Sequence, residues 1–244
     1  IILSSLGCLG IVFVKSKGQD RHDVLKIGLL MILFTLFCSV FEQTGSSITL
    51  FIDRAVDRKL FNYFTIPTPF FQSLNPALVI VLGPLIAGLW SQFELKNKSV
   101  GIFGKFAIGF LFIGLSFVIL SLGIKEDSST LLSPLWIVFV FFFQVVGEIC
   151  IVPIGFSAVS TLAPKKFAGM IMGLWMVSIA CGNYFAALLA NLSSLFGKTE
   201  ENLMLSLATY KNFFLQISFI PLVIAFLMGG SIFFVKYAQQ RSKP

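Results

Sequence analysis

Charged side chains are scarce in this chain, and their scarcity indicates its class. Only 12% of the residues are charged and 57% are hydrophobic, whereas soluble globular domains carry about 25% charged residues. The short alternating segments of a membrane β-barrel are also absent. Several stretches of about 20 apolar residues occur instead, each long enough to cross a bilayer as a helix. The composition therefore predicts an all-α integral membrane protein.

The chain also lacks the motifs that catalysis and metal binding require. It contains no glycine-rich phosphate loop, nucleophile motif or metal-ligand cluster. Its four cysteines, Cys8, Cys38, Cys150 and Cys181, lie singly in apolar segments, without the paired spacing of a metal or redox site. The one histidine, His22, lies in a polar loop. We therefore expect neither an enzyme nor a cofactor, and we attribute the net charge of +7 to membrane topology rather than to nucleic-acid binding.

The apolar stretches predict six membrane spans, which form a six-helix bundle over residues 26–237. The predicted spans are residues 26–52, 69–93, 101–124, 134–162, 167–195 and 212–235. The apolar run 1–14 is too short to cross a bilayer alone, so it predicts the end of a truncated preceding helix. Residues 15–25 then predict a loop and residues 238–244 a tail. The connectors on the side of this loop carry about twice as many Lys and Arg residues as the others, which places both ends of the bundle in the cytoplasm.

Acidic residues are nearly absent from the predicted spans. Of eleven Asp and Glu residues, only Glu42 and Glu148 lie deep inside apolar stretches. A carboxylate in the hydrocarbon core costs roughly 2.5 kcal/mol or more, so such a residue indicates a functional site. Each must bind a cation or take up a proton. The pair therefore predicts a cavity that binds protons, a cationic substrate group, or both.

Helix-breaking residues occur in two of the predicted spans, one of which contains Glu148. Pro153 cannot donate a backbone hydrogen bond to Ile149, so with Gly147 it predicts a hinge beside Glu148. The pair Asn75 and Pro76 allows two interpretations. The second span either begins near Thr68 and bends at Pro76 towards a cavity, or begins at Asn75 as an N-cap.

The fifth span carries a second set of informative residues. Gly169 and Gly173 form a GxxxG pair, which favours close helix packing. Trp175 can face lipid, the protein core or a cavity. Asn183 is expected to form a hydrogen bond inside the bundle.

Four sequence blocks, taken together, resemble the C-terminal half of the proton-dependent oligopeptide transporter (POT/PTR) family, a branch of the major facilitator superfamily. They are FEQTGSS at 41–47, QSLNP at 72–76 with GP at 83–84, GEICIVPIGFS at 147–157 with LAP at 162–164, and MGLW at 172–175 with GN at 182–183. The resemblance covers essentially the whole chain. It implies that the six spans are family helices 7 to 12 and that an N-terminal six-helix half belongs to the transporter.

The resemblance also implies roles for individual residues. Glu148 would bind the amino terminus of a peptide, Asn75 would hydrogen-bond the peptide, and Trp175 would line the pocket, where Asn183 is a further candidate. Glu42 would take part in gating salt bridges with the other half. The expected function is proton-coupled symport of di- and tripeptides by alternating access across the cytoplasmic (inner) membrane. The alternatives are transport of another solute, such as nitrate, a drug or a peptide-like compound, and a non-transporting sensor or interaction protein.

Overall fold

A computed structural model describes residues 2–60, 64–96, 100–125, 131–197 and 203–241. Within these ranges, six helical segments are long and apolar enough to cross a membrane, which confirms an all-α, multi-pass membrane protein. The α-helices are α1 (Ile2–Lys15), α2 (Gln19–Phe41), α3 (Ser47–Ala55), α4 (Thr68–Gln72), α5 (Leu74–Leu95), α6 (Ile102–Gly123), α7 (Pro134–Leu162), α8 (Ala168–Gly197) and α9 (Leu203–Arg241). Two short antiparallel strands, β1 (Lys59–Leu60) and β2 (Phe64–Thr65), lie between α3 and α4.

Glycines allow close packing between helices of the bundle. Helix α6 contacts both α7 and α9, α2 packs on α8, and α5 packs on α7. Gly109 of α6 and Gly147 of α7 face each other: a Cβ on Gly147 would lie 2.8 Å from the Gly109 carbonyl oxygen. Helices in lipid associate through such close approach, because no transfer from water drives them together. Gly147 thus lets two helices touch inside an unbroken α7, and its function as a hinge remains a prediction.

The first predicted span is not one continuous helix. Helix α2 begins at Gln19, seven residues before the predicted start at residue 26, so most of the predicted loop 15–25 is helical. It ends at Phe41, where the 3₁₀ turn Glu42–Thr44 separates it from α3. The interruption falls in the polar block that contains Glu42.

Polar side chains make this interruption possible inside a membrane. The Thr49 hydroxyl donates to the Thr44 carbonyl at 2.7 Å, and the Ser46 hydroxyl donates to the Glu42 carbonyl at 3.1 Å. A membrane protein has to satisfy backbone groups that a broken helix releases, and short hydroxyl side chains do so here. The small polar residues of this block thus end one helix and begin the next.

The second span combines the two interpretations offered for Asn75 and Pro76. Helix α4 begins at Thr68, and a second helix, α5, begins at Leu74 after an interruption at Ser73. Pro76 lies in the first turn of α5, where it lacks the N–H that would continue the backbone ladder. The interruption therefore lies directly beside Pro76, and Asn75 is not an N-cap but a residue of the first turn.

The remaining spans agree with the hydropathy pattern. Helix α7 has the predicted bounds, and α6 agrees to within one residue at each end. Pro153 lies inside α7, which continues as helix on both sides of it, so its hinge function remains a prediction. Helix α9 extends beyond the predicted span 212–235 at both ends and includes most of the predicted tail.

Helix α5 borders an open face of the bundle. Among its residues, Ile86 is the only one that is buried. Its exposed apolar side chains, which include Ile80 and Leu85, need lipid or another protein segment around them. The face of α7 next to α5, which carries the second buried acid, is therefore accessible from this side.

Candidate functional site

Glu148 lies near the middle of α7, about 21 Å from the start of the helix. Its carboxylate accepts a hydrogen bond from Asn75 Nδ2 at 3.0 Å. The two residues are 73 positions apart in the chain and meet because α5 packs on α7. Both side chains are partly exposed at the open face. The structure thus brings together two residues that the sequence had placed on separate spans.

Glu42 is the second acid of the site. It begins the 3₁₀ turn after α2 and is exposed. Neither carboxylate forms an ion pair with any residue that the structure describes. A carboxylate without a cationic partner can bind an ammonium group.

Gln43 is a site residue that the sequence analysis missed. Its side chain is fully buried, and Nε2 donates to the carbonyl oxygens of Ser39 at 3.2 Å and Ala186 at 2.9 Å. Its Oε1 accepts from the Ser47 hydroxyl at 2.6 Å. This amide ties the interruption of the first span to α8 and so orients Glu42. A glutamine next to an acid in an apolar stretch signals such a network, since buried amides need partners.

A row of polar side chains continues from this turn to α7. The Gln72 amide donates to the Thr49 hydroxyl at 3.0 Å, and Thr49 donates to the backbone of Thr44. The Thr44 hydroxyl lies 2.9 Å from Oε1 of Gln144, which stands one turn before Glu148 on α7. We call these four residues the polar row. They give the carboxylate site a hydrogen-bonding flank, as expected of a cavity that binds a polar solute.

Trp175 does not line this site, which corrects the expectation drawn from the resemblance. Its side chain is fully buried. It stacks on Phe34 with ring centroids 4.3 Å apart and contacts Phe156 edge-on at 5.9 Å. The ring also lies against Gly155, where a Cβ would come within 2.7 Å of the indole. Trp175 therefore joins α2, α7 and α8 in the core.

Two further expectations for α8 are corrected. Asn183 is exposed rather than hydrogen-bonded inside the bundle. Gly169 and Gly173, predicted to mediate close packing, are exposed, and a Cβ on either glycine would meet no atom within 4 Å. These three residues lie on a side of α8 that no described helix covers.

The site has the chemistry of a receptor for cationic and hydrogen-bonding groups. Among the described residues, no cluster of three or more His, Cys, Asp and Glu side chains could hold a metal ion. The polar groups that converge are two carboxylates, the Asn75 amide and the polar row. Such a set can hold an ammonium group and exchange it for a proton.

Comparisons with known proteins identify relatives of this chain. The sequence profile of the POT family matches residues 3–209. The chain is 32% identical to the peptide transporter YePEPT of Yersinia enterocolitica over 72% of its length and 35% of that protein. It is 30% identical to dipeptide and tripeptide permease A of Escherichia coli over 87% of its length and 42% of that protein.

Solved structures agree with the sequence comparison. A peptide transporter POT in complex with sulfate superposes with a TM-score of 0.79 at 27% identity, over 94% of this chain and 44% of the other. A POT family transporter in complex with a thioalcohol-conjugated peptide gives a TM-score of 0.75 at 25% identity, over 99% of this chain and 47% of the other. The chain thus spans less than half the length of these relatives, and its helices follow the major-facilitator arrangement. On these grounds the chain belongs to the POT family.

Proposed function

We propose that this chain forms the C-terminal half of a proton-coupled symporter of di- and tripeptides. In the complete transporter, its six-helix bundle would rock against an N-terminal six-helix half around a site near the membrane midplane. The family membership and the names of the relatives support a peptide substrate. The exposed faces of α5 and α8 offer surfaces for the missing half.

The observation that carries this proposal is the hydrogen bond between Asn75 and Glu148 at the open face. The amide holds the Glu148 carboxylate in one orientation, so that its second oxygen can accept from the ammonium group of a peptide. The Asn75 oxygen can accept from the first peptide N–H, because an amide presents both a donor and an acceptor. Gln72, the exposed member of the polar row, would provide a further hydrogen bond to the peptide backbone.

Glu42 would couple this site to protons. In our proposal it alternates between a protonated state and an ion pair with a cation of the N-terminal half. Inward proton movement supplies about 2.3 kcal/mol per charge per 100 mV and about 1.36 kcal/mol per pH unit.

The proposed location is the cytoplasmic membrane of a bacterial cell, with both ends of the six-helix unit on the cytoplasmic side. The excess of Lys and Arg in the connectors on that side supports this orientation. The orientation is testable with a membrane-impermeant thiol reagent and the variant Lys17→Cys. The introduced cysteine should react only when the reagent has access to the cytoplasmic side.

The test of function is uptake of a labelled dipeptide into proteoliposomes by the full-length protein under an imposed pH gradient. We expect uptake that requires the gradient and that Glu148→Gln abolishes, since a neutral amide cannot balance an ammonium charge. Competition with unlabelled tripeptide should inhibit uptake. Competition by nitrate or a drug but not by peptides would instead indicate another solute.

Glu94→Gln is the matched control. Glu94 is an exposed glutamate at the end of α5 that pairs with Lys105 at 3.3 Å, away from the carboxylate site. The same chemical change there should leave uptake within about twofold of wild type, as expected for an exposed ion pair. Equal loss in both variants, or no uptake by folded wild-type protein, would refute the proposal.

A further inference from the structure

A cavity lies outside the carboxylate site, between α1, α2 and α8. It has a volume of about 760 Å³ and is lined almost entirely by apolar groups. Helix α1 contributes Leu9, Gly10 and Phe13, and α8 contributes side chains from Leu174 to Phe185. No charged residue lines it. We call this cavity the α1–α2 groove.

The groove is long and narrow. Its lining on α2 extends from Val24 to Leu36, which is about 18 Å along a helix. Two glycines leave room in it: a Cβ on Gly10 would meet no atom within 4 Å, and a Cβ on Gly28 would meet only Leu9. The Thr35 hydroxyl, which lines the groove, already donates to the Ser178 carbonyl at 3.1 Å and needs no hydrogen bond from an occupant. The length of the groove along α2 fits an extended acyl chain.

One end of the groove carries an excess of positive charge. Lys15 ends α1, Lys17 follows it, and Arg21 lies in the first turn of α2; all three are exposed. The Arg21 guanidinium lies 4.2 Å from the ring centroid of Phe13, which lines the groove. None of the three cations forms an ion pair with a described residue. Two acids lie nearby: Asp23 pairs with Lys26 at 2.8 Å, and Asp20 is exposed in the first turn of α2. Four cations and two acids leave this end with a net charge of +2.

We propose that the α1–α2 groove binds an anionic phospholipid. The acyl chain lies along α2 between Val24 and Leu36, and the phosphate is held by Lys15, Lys17 and Arg21. Basic residues at the end of a membrane helix attract anionic headgroups, and a groove lined almost entirely by apolar groups favours a hydrocarbon chain over a peptide or a polar solute. The lipid would hold α1 against the transport bundle.

The test is native mass spectrometry of the full-length protein purified in detergent with phosphatidylglycerol and phosphatidylcholine at equal concentration. We expect one phosphatidylglycerol to be retained in preference to phosphatidylcholine. The triple variant Lys15→Gln, Lys17→Gln, Arg21→Gln should reduce that preference by about tenfold or more, since each cation near the membrane surface attracts anionic lipid.

The double variant Lys165→Gln, Lys166→Gln is the matched charge control. It removes two exposed cations at another helix connection, where Lys166 likewise lies over an aromatic ring, that of Phe167, at 5.7 Å. This variant should retain the preference for phosphatidylglycerol. An equal loss in the triple and double variants would show general attraction to charge and would overturn the proposed site.

A second pair of variants tests the groove itself. Gly10→Leu places a side chain in open space inside the groove and should lower retention of phosphatidylglycerol at least fivefold. Gly229→Leu adds the same side chain on the exposed side of α9, where a Cβ also meets no atom within 4 Å, and should leave retention unchanged. Equal retention by the two variants would refute the groove as the site of the acyl chain. Absence of bound lipid in the wild type would overturn the proposal and show that another protein segment covers the groove.

Discussion

Replacement of Trp175 by alanine tests whether this residue belongs to the core or lines the binding pocket, because only a core residue should cause a large loss of stability. In a bilayer or micelle, the main loss is packing rather than transfer from water. Removing the indole leaves a void of roughly 140 Å³, which at about 24 cal/mol per Å³ of residual cavity costs about 3.4 kcal/mol. At about 2–4 °C per kcal/mol for a chain of this size, the melting temperature should fall by about 7–14 °C.

Thermal unfolding with a thiol-reactive fluorophore measures this loss, because Cys38 and Cys150 are buried and free in the folded protein. Trp175→Phe should lose less than half as much, since a ring still stacks on Phe34. Trp136→Ala is the matched control, because that indole is 38% exposed. If Trp175→Ala melts within about 2 °C of wild type but no longer binds peptide, Trp175 lines the pocket and the reasoning from burial is wrong.

Two further substitutions test the site and the helix packing. Asn75→Ala should weaken dipeptide affinity about tenfold, because a hydrogen bond to an ionised carboxylate contributes about 1.5 kcal/mol or more; competition of labelled dipeptide uptake measures it, and unchanged affinity would refute the contact. Gly147→Val should lower the melting temperature by more than about 4 °C, because overpacking costs about 1–3 kcal/mol. The control Gly83→Val adds the same side chain at an open position. It should change the melting temperature by less than about 2 °C by the same relation. Equal melting of the two valine variants, combined with altered transport only in Gly147→Val, would favour a hinge at Gly147.

The sequence predicted the membrane class and the approximate spans, because hydropathy along one helix is a local property. The bounds of α7 follow from its apolar run and from Pro134 at its start. The prediction of two functional acids also follows from local sequence, since Glu42 and Glu148 are each surrounded by apolar residues. The meeting of Glu148 with Asn75 on another helix agrees with the resemblance, which had assigned both to one binding site.

The errors have a common physical cause, which is that packing partners are not encoded in helical periodicity. Gly147 was predicted as a hinge beside an acid, and only the tertiary structure shows that it also faces Gly109 across a contact too tight for a side chain. The GxxxG pair at Gly169 and Gly173 had the sequence of a packing motif, yet no described helix covers it. Trp175 was open to three interpretations, and only its neighbours show that it belongs to the core.

The interruption at Glu42–Thr44 likewise depends on both the local sequence and the packing of distant segments. Its polar residues are visible in the sequence, but an uninterrupted amphipathic helix was equally compatible with them. Gln43 stabilises the interrupted form because the Ala186 carbonyl of α8 lies 2.9 Å from its amide. That partner is 143 residues away in the chain, so its position depends on how α2 packs on α8.

The sequence by itself determined that this chain lies in a membrane, where its helices run, and that two acids have to be compensated, because solvation by lipid acts on each segment separately. The tertiary structure alone decided which acid has a hydrogen-bonding partner, which glycines touch another helix, and where a groove remains open between α1, α2 and α8. These properties depend on distances between segments far apart in the chain, and packing of the whole bundle sets those distances.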